Sequence, residues 1–225
     1  MKDYLKEKYK EEFEIGEIQT FNLGFAAGEL IQARANPISN NEMVFIVSRD
    51  SNNTNYEDSY SKLLEEKFVR NLFSENLSEL SVNTKYYITT AYNGDLGGDG
   101  GKEIEINKLN PSFVISIPVE RGYDKSDYTK KILNLIYSIE KEEVGYYRVR
   151  IEFVDNKNAG IIEEYINLSQ KKLTQNELKE RNFSEVKRQY ERSIIDRFTY
   201  DSKDVDFKNS LHFIRSLLDK TYKER

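Results

Sequence analysis

The sequence predicts an α+β fold: a mixed, largely antiparallel sheet supplied by two duplicated β-loop-α-β units, closed by a C-terminal helical segment. Three observations predict it. Strand-length apolar runs at residues 43–47 and 113–117 alternate with longer stretches of helical period. Two of these strand-to-helix passages match each other at a constant offset of 68 residues, 45 against 113. From residue 170 onward, paired capping residues and a one-faced apolar stripe point to helix.

Taken in order, residues 2–12 are charged with Leu5 and Tyr9 one turn apart, the pattern of a short amphipathic helix. Phe13-Glu14-Ile15-Gly16-Glu17-Ile18 changes the period to two, that of a half-buried strand. Between Leu23 and Asn41 the chain is small and apolar around Gly24 to Gly28, turns at Asn36-Pro37 and commits to no element. Met43-Val44-Phe45-Ile46-Val47 reads as a buried strand within 42–49. Asn55 offers an N-cap with Asp58 at N3, opening one helix over 56–80 with Tyr60, Leu63, Leu64, Phe68, Leu72 and Leu77 on its inner side. Residues 86–92 form the next strand, and Ile104 and Ile106 alternate with glutamates in a short one after a glycine-rich turn.

Phe113-Val114-Ile115-Ser116-Ile117 is a second buried strand, ended by Pro118 and Gly122. Asp124 with Asp127 at N3 starts a helix carrying Tyr128, Ile132, Leu135, Ile136 and Ile139. Residues 147–153 alternate as a strand with one wet face, residues 155–160 are turn-forming, and 161–168 read as the hairpin partner. Thr174 with Glu177 and Asn182 with Glu185 are N-cap and N3 pairs, so a helix restarts near Phe183. A last helix carries Phe207, Leu211, Ile214, Leu218 and Tyr222 on one face.

The repeat aligns Phe45-Ile46-Val47-Ser48 with Phe113-Val114-Ile115-Ser116 and continues without a gap to Tyr60-Ser61-Lys62 against Tyr128-Thr129-Lys130. Each copy then reaches a strand opening with a tyrosine pair, Tyr86-Tyr87 and Tyr146-Tyr147. A fixed offset marks a duplicated supersecondary unit, although chance in a chain rich in aromatic, β-branched and lysine residues competes with it. The division expected is 1–107 for the opening helix and first unit, 108–169 for a second unit sharing one sheet with the first, and 170–225 for the helical segment. Tyr60 and Tyr128 fall in the first turns of their helices, where they would pack back on the preceding strand.

Composition excludes whole classes of chemistry. The chain of 225 residues has no cysteine, one histidine, no tryptophan, 16 tyrosines and a net charge of −5. A thiolate metal site, disulfide or cysteine nucleophile is impossible, and one imidazole cannot build a His-rich metal centre. No cofactor is expected and no catalytic residue is assigned. At 38% hydrophobic and 12% aromatic content the chain is polar but able to fold. No apolar run is long enough to span a membrane, and the first residues lack the apolar core of a secretory signal, which read literally predicts a cytoplasmic protein.

The candidate sites are few. Asn93, Asp95 and Asp99 lie in a glycine-rich loop that could offer hard oxygen ligands to calcium, but the spacing matches no EF-hand, and a hairpin loop is the plainer reading. The same loop ends in Gly101-Lys102 yet lacks the Ser or Thr and the helix that a phosphate-binding loop requires. His212 shares a helical side with Lys208, Arg215 and Asp219, away from the apolar stripe, so it reads as a surface residue. Residues 170–225 hold 14 basic against 10 acidic side chains, leaving −9 on the rest. Arg181, Arg188 and Arg192 share a side, but the i, i+4 pairs Lys187 with Glu191 and Arg192 with Asp196 favour a solvated helix, and the acidic body argues against nucleic acid.

The opening Tyr4-Leu5-Lys6-Glu7-Lys8-Tyr9-Lys10-Glu11-Glu12-Phe13-Glu14-Ile15, the strand at 44–47 and the helix start Asp58-Ser59-Tyr60 resemble extracytoplasmic domains of small lipoproteins and membrane-anchored proteins of low-GC Gram-positive bacteria. That resemblance covers about the first third of the chain, lacks the lipobox cysteine, and implies an extracytoplasmic address with no catalytic residue. The function expected is a non-catalytic, envelope-associated binding or interaction module, presenting tyrosine-rich sheet and loop surface to another protein or an envelope component. The alternatives are a cytoplasmic immunity or adaptor protein of a mobile element, and a carboxylate-based hydrolase or calcium-dependent module.

Overall fold

The structure, a computed structural model, describes residues 1–22, 28–51, 55–80, 83–92, 104–169 and 182–202. Within these, the α+β class holds: helices α1 (Lys2–Tyr9), α2 (Tyr60–Leu72), α3 (Ser74–Leu80), α4 (Ser126–Lys141), α5 (Ala159–Ser169) and α6 (Phe183–Ser193) accompany nine strands. These are β1 (Phe13–Ile15), β2 (Gln19–Asn22), β3 (Glu29–Pro37), β4 (Phe45–Asp50), β5 (Glu57–Asp58), β6 (Lys85–Tyr92), β7 (Leu109–Val119), β8 (Arg148–Asp155) and β9 (Ile194–Asp201). The strands form two sheets: β1-β3-β4-β5 with β2 also on β3, and β6-β7-β8-β9. All pairs are antiparallel except β7 with β8.

Two compact units result, one built on Met1–Leu64, the other on Glu65–Asn93, Glu105–Asn167 and the described residues from Phe183. The second unit's middle stretch, Glu105–Asn167, begins and ends within three residues of the expected boundaries at 107 and 169, but the unit also takes in the chain from Glu65. The two copies share a sheet only in part: β6 of the first lies beside β7 of the second, whereas β4 belongs to the other sheet, and β7 and β8 of the second are parallel neighbours. A parallel pair needs a crossover, and α4 supplies it.

In the first unit Leu5, Tyr9, Phe13, Ala33, Ala35, Phe45, Val47 and Tyr60 make the core. Tyr60 packs on Phe45 with ring centroids 4.9 Å apart, as expected of a first-turn residue folded back on the strand before it. Its counterpart Tyr128 packs instead on Phe153 of β8, at 5.3 Å. Asp58, expected inside the helix at N3, lies outside it and caps it, accepting from the Tyr60 N–H at 3.0 Å. The same carboxylate, its side chain fully buried, accepts from Tyr4 Oη at 2.7 Å, Lys8 Nζ at 2.7 Å and Tyr9 Oη at 2.6 Å. Burial would push the Asp58 carboxyl up, but the hydrogen bonds from Lys8, Tyr9 and Tyr4 outweigh it and hold it below the usual carboxylate range.

In the second unit the sheet is covered on both faces, which explains the nearly continuous burial of β7 and β8. On one face Tyr128 of α4 meets Phe153, and Glu140 of α4 accepts from Tyr147 and Tyr200 at 3.2 and 3.3 Å. On the other, Tyr190 of α6 hydrogen-bonds Ser116 and Glu152, and stacks on Tyr165 of α5 at 4.0 Å. Glu152 is buried and bound by Arg197, its cross-strand neighbour, at 2.8 Å.

Several elements differ from expectation, each for a readable reason. Residues 161–168 are helical, within α5, because Ile162, Tyr165 and Ile166 recur at three and four and are buried together. Residues 194–201 are not part of a helical tail but an edge strand, with Ile194, Asp196, Phe198 and Tyr200 alternately buried. The single helix at 56–80 is two, broken at Phe73, which is buried against Phe113 at 5.7 Å. Ile106–Lys108 is one 3-10 turn rather than a strand. Pro118 does not end its strand: it lies beyond Ser116, the last β7 residue paired with β6, so its missing N–H leaves no bond to β6 unmade.

Candidate functional site

The candidate site is a groove at the carboxyl ends of the parallel strands β7 and β8. In open sheets of parallel strands, ligands collect outside these ends, because the loops that leave them diverge to opposite faces. After Val119, β7 turns through Glu120 to Tyr123, whose N–H returns to the Glu120 carbonyl at 3.1 Å. Gly122 takes φ +86° in that turn, a conformation that side chains disfavour. After Asp155, β8 passes through the 3-10 turn Asn156–Asn158 directly into α5. The last turn of α6 closes the opposite wall and hands the chain to β9.

Two adjoining hollows make the groove. The larger, about 540 Å³, is lined by Lys157, Asn158, Gly160, Gln189, Arg192 and Ser193 among others. The smaller, about 320 Å³, shares Asn158, Arg192 and Ser193 and adds Arg121, Gly122 and Asp155. These volumes suit a small-molecule site.

The electrostatics are ordered from the floor outward. Asp155 is buried and accepts from Arg121 Nε at 3.0 Å and from the Lys157 backbone N–H at 3.1 Å. The Arg121 guanidinium, then that N–H, hold its carboxyl below the usual carboxylate range. Asp196, at the start of β9, is tied to Lys125 at 2.6 Å. Ser193 Oγ donates to the Tyr190 carbonyl at 2.6 Å, so the hydroxyl lining the groove is already committed. Behind the wall, burial and then the charge of Glu152 push the Tyr190 hydroxyl far above its ordinary range, which keeps it a proton-holding structural donor.

The residues singled out from sequence fare differently. Asn93, Asp95 and Asp99, and His212 with the final apolar stripe, lie outside the described residues, as do Thr174, Glu177 and Arg181. The proposed pairs on the tail helix are replaced: Glu191 binds Arg197 at 2.8 Å rather than Lys187, and Asp196 binds Lys125 rather than Arg192. Arg188 pairs with Glu185, while Arg192 reaches the groove. The tyrosines expected at the surface divide by burial. Among the tyrosines whose burial is described, Tyr137 is largely exposed, at 55%, Tyr9, Tyr60, Tyr147, Tyr165, Tyr190 and Tyr200 are buried, and Tyr4, Tyr56, Tyr86, Tyr87, Tyr123, Tyr128 and Tyr146 are half-buried. Arg121, Asp155, Lys157 and Gly160 were not legible as site residues, because reading 161–168 as a hairpin strand hid the parallel pair whose ends they occupy.

No protein-family model matches the chain, and no curated protein matches it. The fold is similar to that of a solved structure, a DUF5037 family protein from Ruminococcus gnavus ATCC 29149, at 17% identity and TM-score 0.55, with 97% of each chain covered. That likeness is one of fold. Among the described residues no helix is long and apolar enough to cross a membrane.

Proposed function

We propose that this chain is a non-catalytic binding module of the cell envelope, and that its ligand sits in the groove at the ends of β7 and β8. The observation that carries the binding reading is the groove itself, a hollow of about 540 Å³ at the carboxyl ends of a parallel pair. Its lining supplies hydrogen-bond donors and cations, while its carboxylate and hydroxyl, Asp155 and Ser193, are engaged with Arg121 and the Tyr190 carbonyl. Such a lining suits recognition better than proton transfer. The envelope address is supported by the likeness of residues 4–15 to anchored Gram-positive domains.

The test uses the full chain, isotopically labelled, screened by amide spectra against mixed neutral and charged small molecules. Binders should shift the amides of Asn158, Gly160 and Ile161, and Gly160→Trp should abolish those shifts. A Cβ at Gly160 meets no atom within 4 Å, so a side chain can start there without backbone strain, and an unchanged amide spectrum away from the groove checks that the variant is folded. Shifts that map elsewhere, or that survive Gly160→Trp, would overturn the reading. Recovery of the protein in the cytosolic fraction of its host would overturn the address.

A further inference from the structure

We infer that the groove's ligand presents a dianionic oxygen group, a phosphate or a pair of carboxylates, to Lys157 and Arg192. The inference rests on the binding reading above and adds the chemical class of the ligand. Its first support is the charge inventory. The two hollows are lined by Lys157, Arg192 and Arg121 against one carboxylate, Asp155. Arg121 satisfies that carboxylate, which leaves two cations facing the groove. Neither Lys157 nor Arg192 makes an ion pair with another described residue.

The second support is contrast with neighbouring arginines. Arg188, one turn before Arg192, holds Glu185, and Arg197, just after it, holds Glu191 and Glu152. Arg188 and Arg197 thus have carboxylates at bonding distance, whereas Arg192, which lines the groove, feels Glu185 only at longer range. The third support concerns the opposite wall. The first turn of α5 contributes Gly160 and Ile161 to the lining and adds no carboxylate to it beyond Asp155, which caps the 3-10 turn leading into α5. Gly160 keeps that turn open to a ligand, since no atom lies within 4 Å of where a side chain would start. Two cations on separate elements, the 3-10 turn and the end of α6, with Asn158 also in the lining, match an anion better than a neutral or cationic ligand.

Arg192 also stands in the last turn of α6, where a cation offsets the helix dipole. Its test therefore needs a readout other than stability. Labelled full chain is titrated at low salt with inorganic phosphate, with succinate and with neutral methyl glucoside, following the amides of Asn158, Gly160 and Ile161. The expected result is saturable shifts with one or both anions. Affinity should fall about tenfold or more in Lys157→Ala/Arg192→Ala, and should weaken as salt is raised to about 0.15 M, where screening reaches within about 8 Å. Tighter binding of phosphate assigns a phosphorylated ligand; tighter binding of succinate assigns a polycarboxylate. Both replaced side chains are exposed, and an unchanged amide spectrum elsewhere confirms that the variant is folded. Methyl glucoside shifting the same amides as strongly as the anions, or a double variant binding anions as tightly as the wild type, overturns the inference while leaving the groove a binding site. Silence of every probe at these amides overturns both readings.

Discussion

Replacing Asp58 by asparagine removes the one negative charge that three α1 side chains, Tyr4, Lys8 and Tyr9, share in a fully buried position. The Lys8 side chain keeps about a third of its surface in water, so its ammonium can rehydrate. The loss should therefore sit near the lower end for a broken buried pair, about 3 kcal/mol, read as a lowered denaturant midpoint. The pH dependence has a definite sign. The Asp58 carboxyl is held below its ordinary range in the folded state, so its contribution is complete above the unfolded value of about 3.9 and is lost as pH falls through the folded one. Wild type should thus lose stability in acid more steeply than Asp58→Asn. Equal slopes of the two proteins below about pH 4 would show that Asp58 does not carry this linkage.

At the scale of elements, two glycines make opposite predictions. Gly160→Ala adds a methyl group in open space to the exposed first turn of α5 and should stabilise by about 0.5–1 kcal/mol, seen as a raised melting temperature. Gly145→Ala should destabilise by about 1–3 kcal/mol. Its Cβ would stand 2.9 Å from the carbonyls of Asn107 and Leu109 and from Asn110 Oδ1, in a bend where the backbone passes close to the start of β7. A neutral result at Gly145 would mean that this bend can open. The same scale shows what a sequence reveals. α1 and α4 were legible because burial follows the helical repeat along them, and β4, β7 and β8 because each is a short apolar or alternating run of strand length. β9 was not, since Arg192 and Asp196 stand at helical spacing and pair attractively on paper, while the partner that Asp196 takes, Lys125, lies far away in sequence. α5 was hidden by the turn-rich run before it, whose 3-10 geometry leads into a helix as readily as into a hairpin. The groove, assembled from three separated stretches, had no local signature at all.

Over the whole molecule, the most consequential choice is to place tyrosine inside. In Tyr9, Tyr60, Tyr87, Tyr123, Tyr147 and Tyr190, burial comes first and neighbouring acceptors or hydroxyls second, and together they raise the hydroxyl well above its ordinary range. An unfolded chain releases these protons from about pH 10, whereas the folded chain retains them. Stability is therefore whole below that pH and drains away above it. Tyrosinate absorbance and far-ultraviolet dichroism followed on one alkaline titration should show these tyrosines ionising together with the loss of helix. Their ionisation while the dichroism is unchanged would contradict this placement. With no tryptophan in the chain, the tyrosine signal is free of overlap.

The position of Asp58 also bears on the order in which the fold is acquired. The bonds it accepts from α1 span 49, 50 and 54 residues. A helix of eight residues is too short to persist alone in water. α1 therefore has little to hold it until β5, which carries residue 58, has paired with β4. Its docking belongs to the high contact-order part of folding, as does the closing of β9 on β8, whose paired residues Arg148 and Asp201 are equally far apart along the chain.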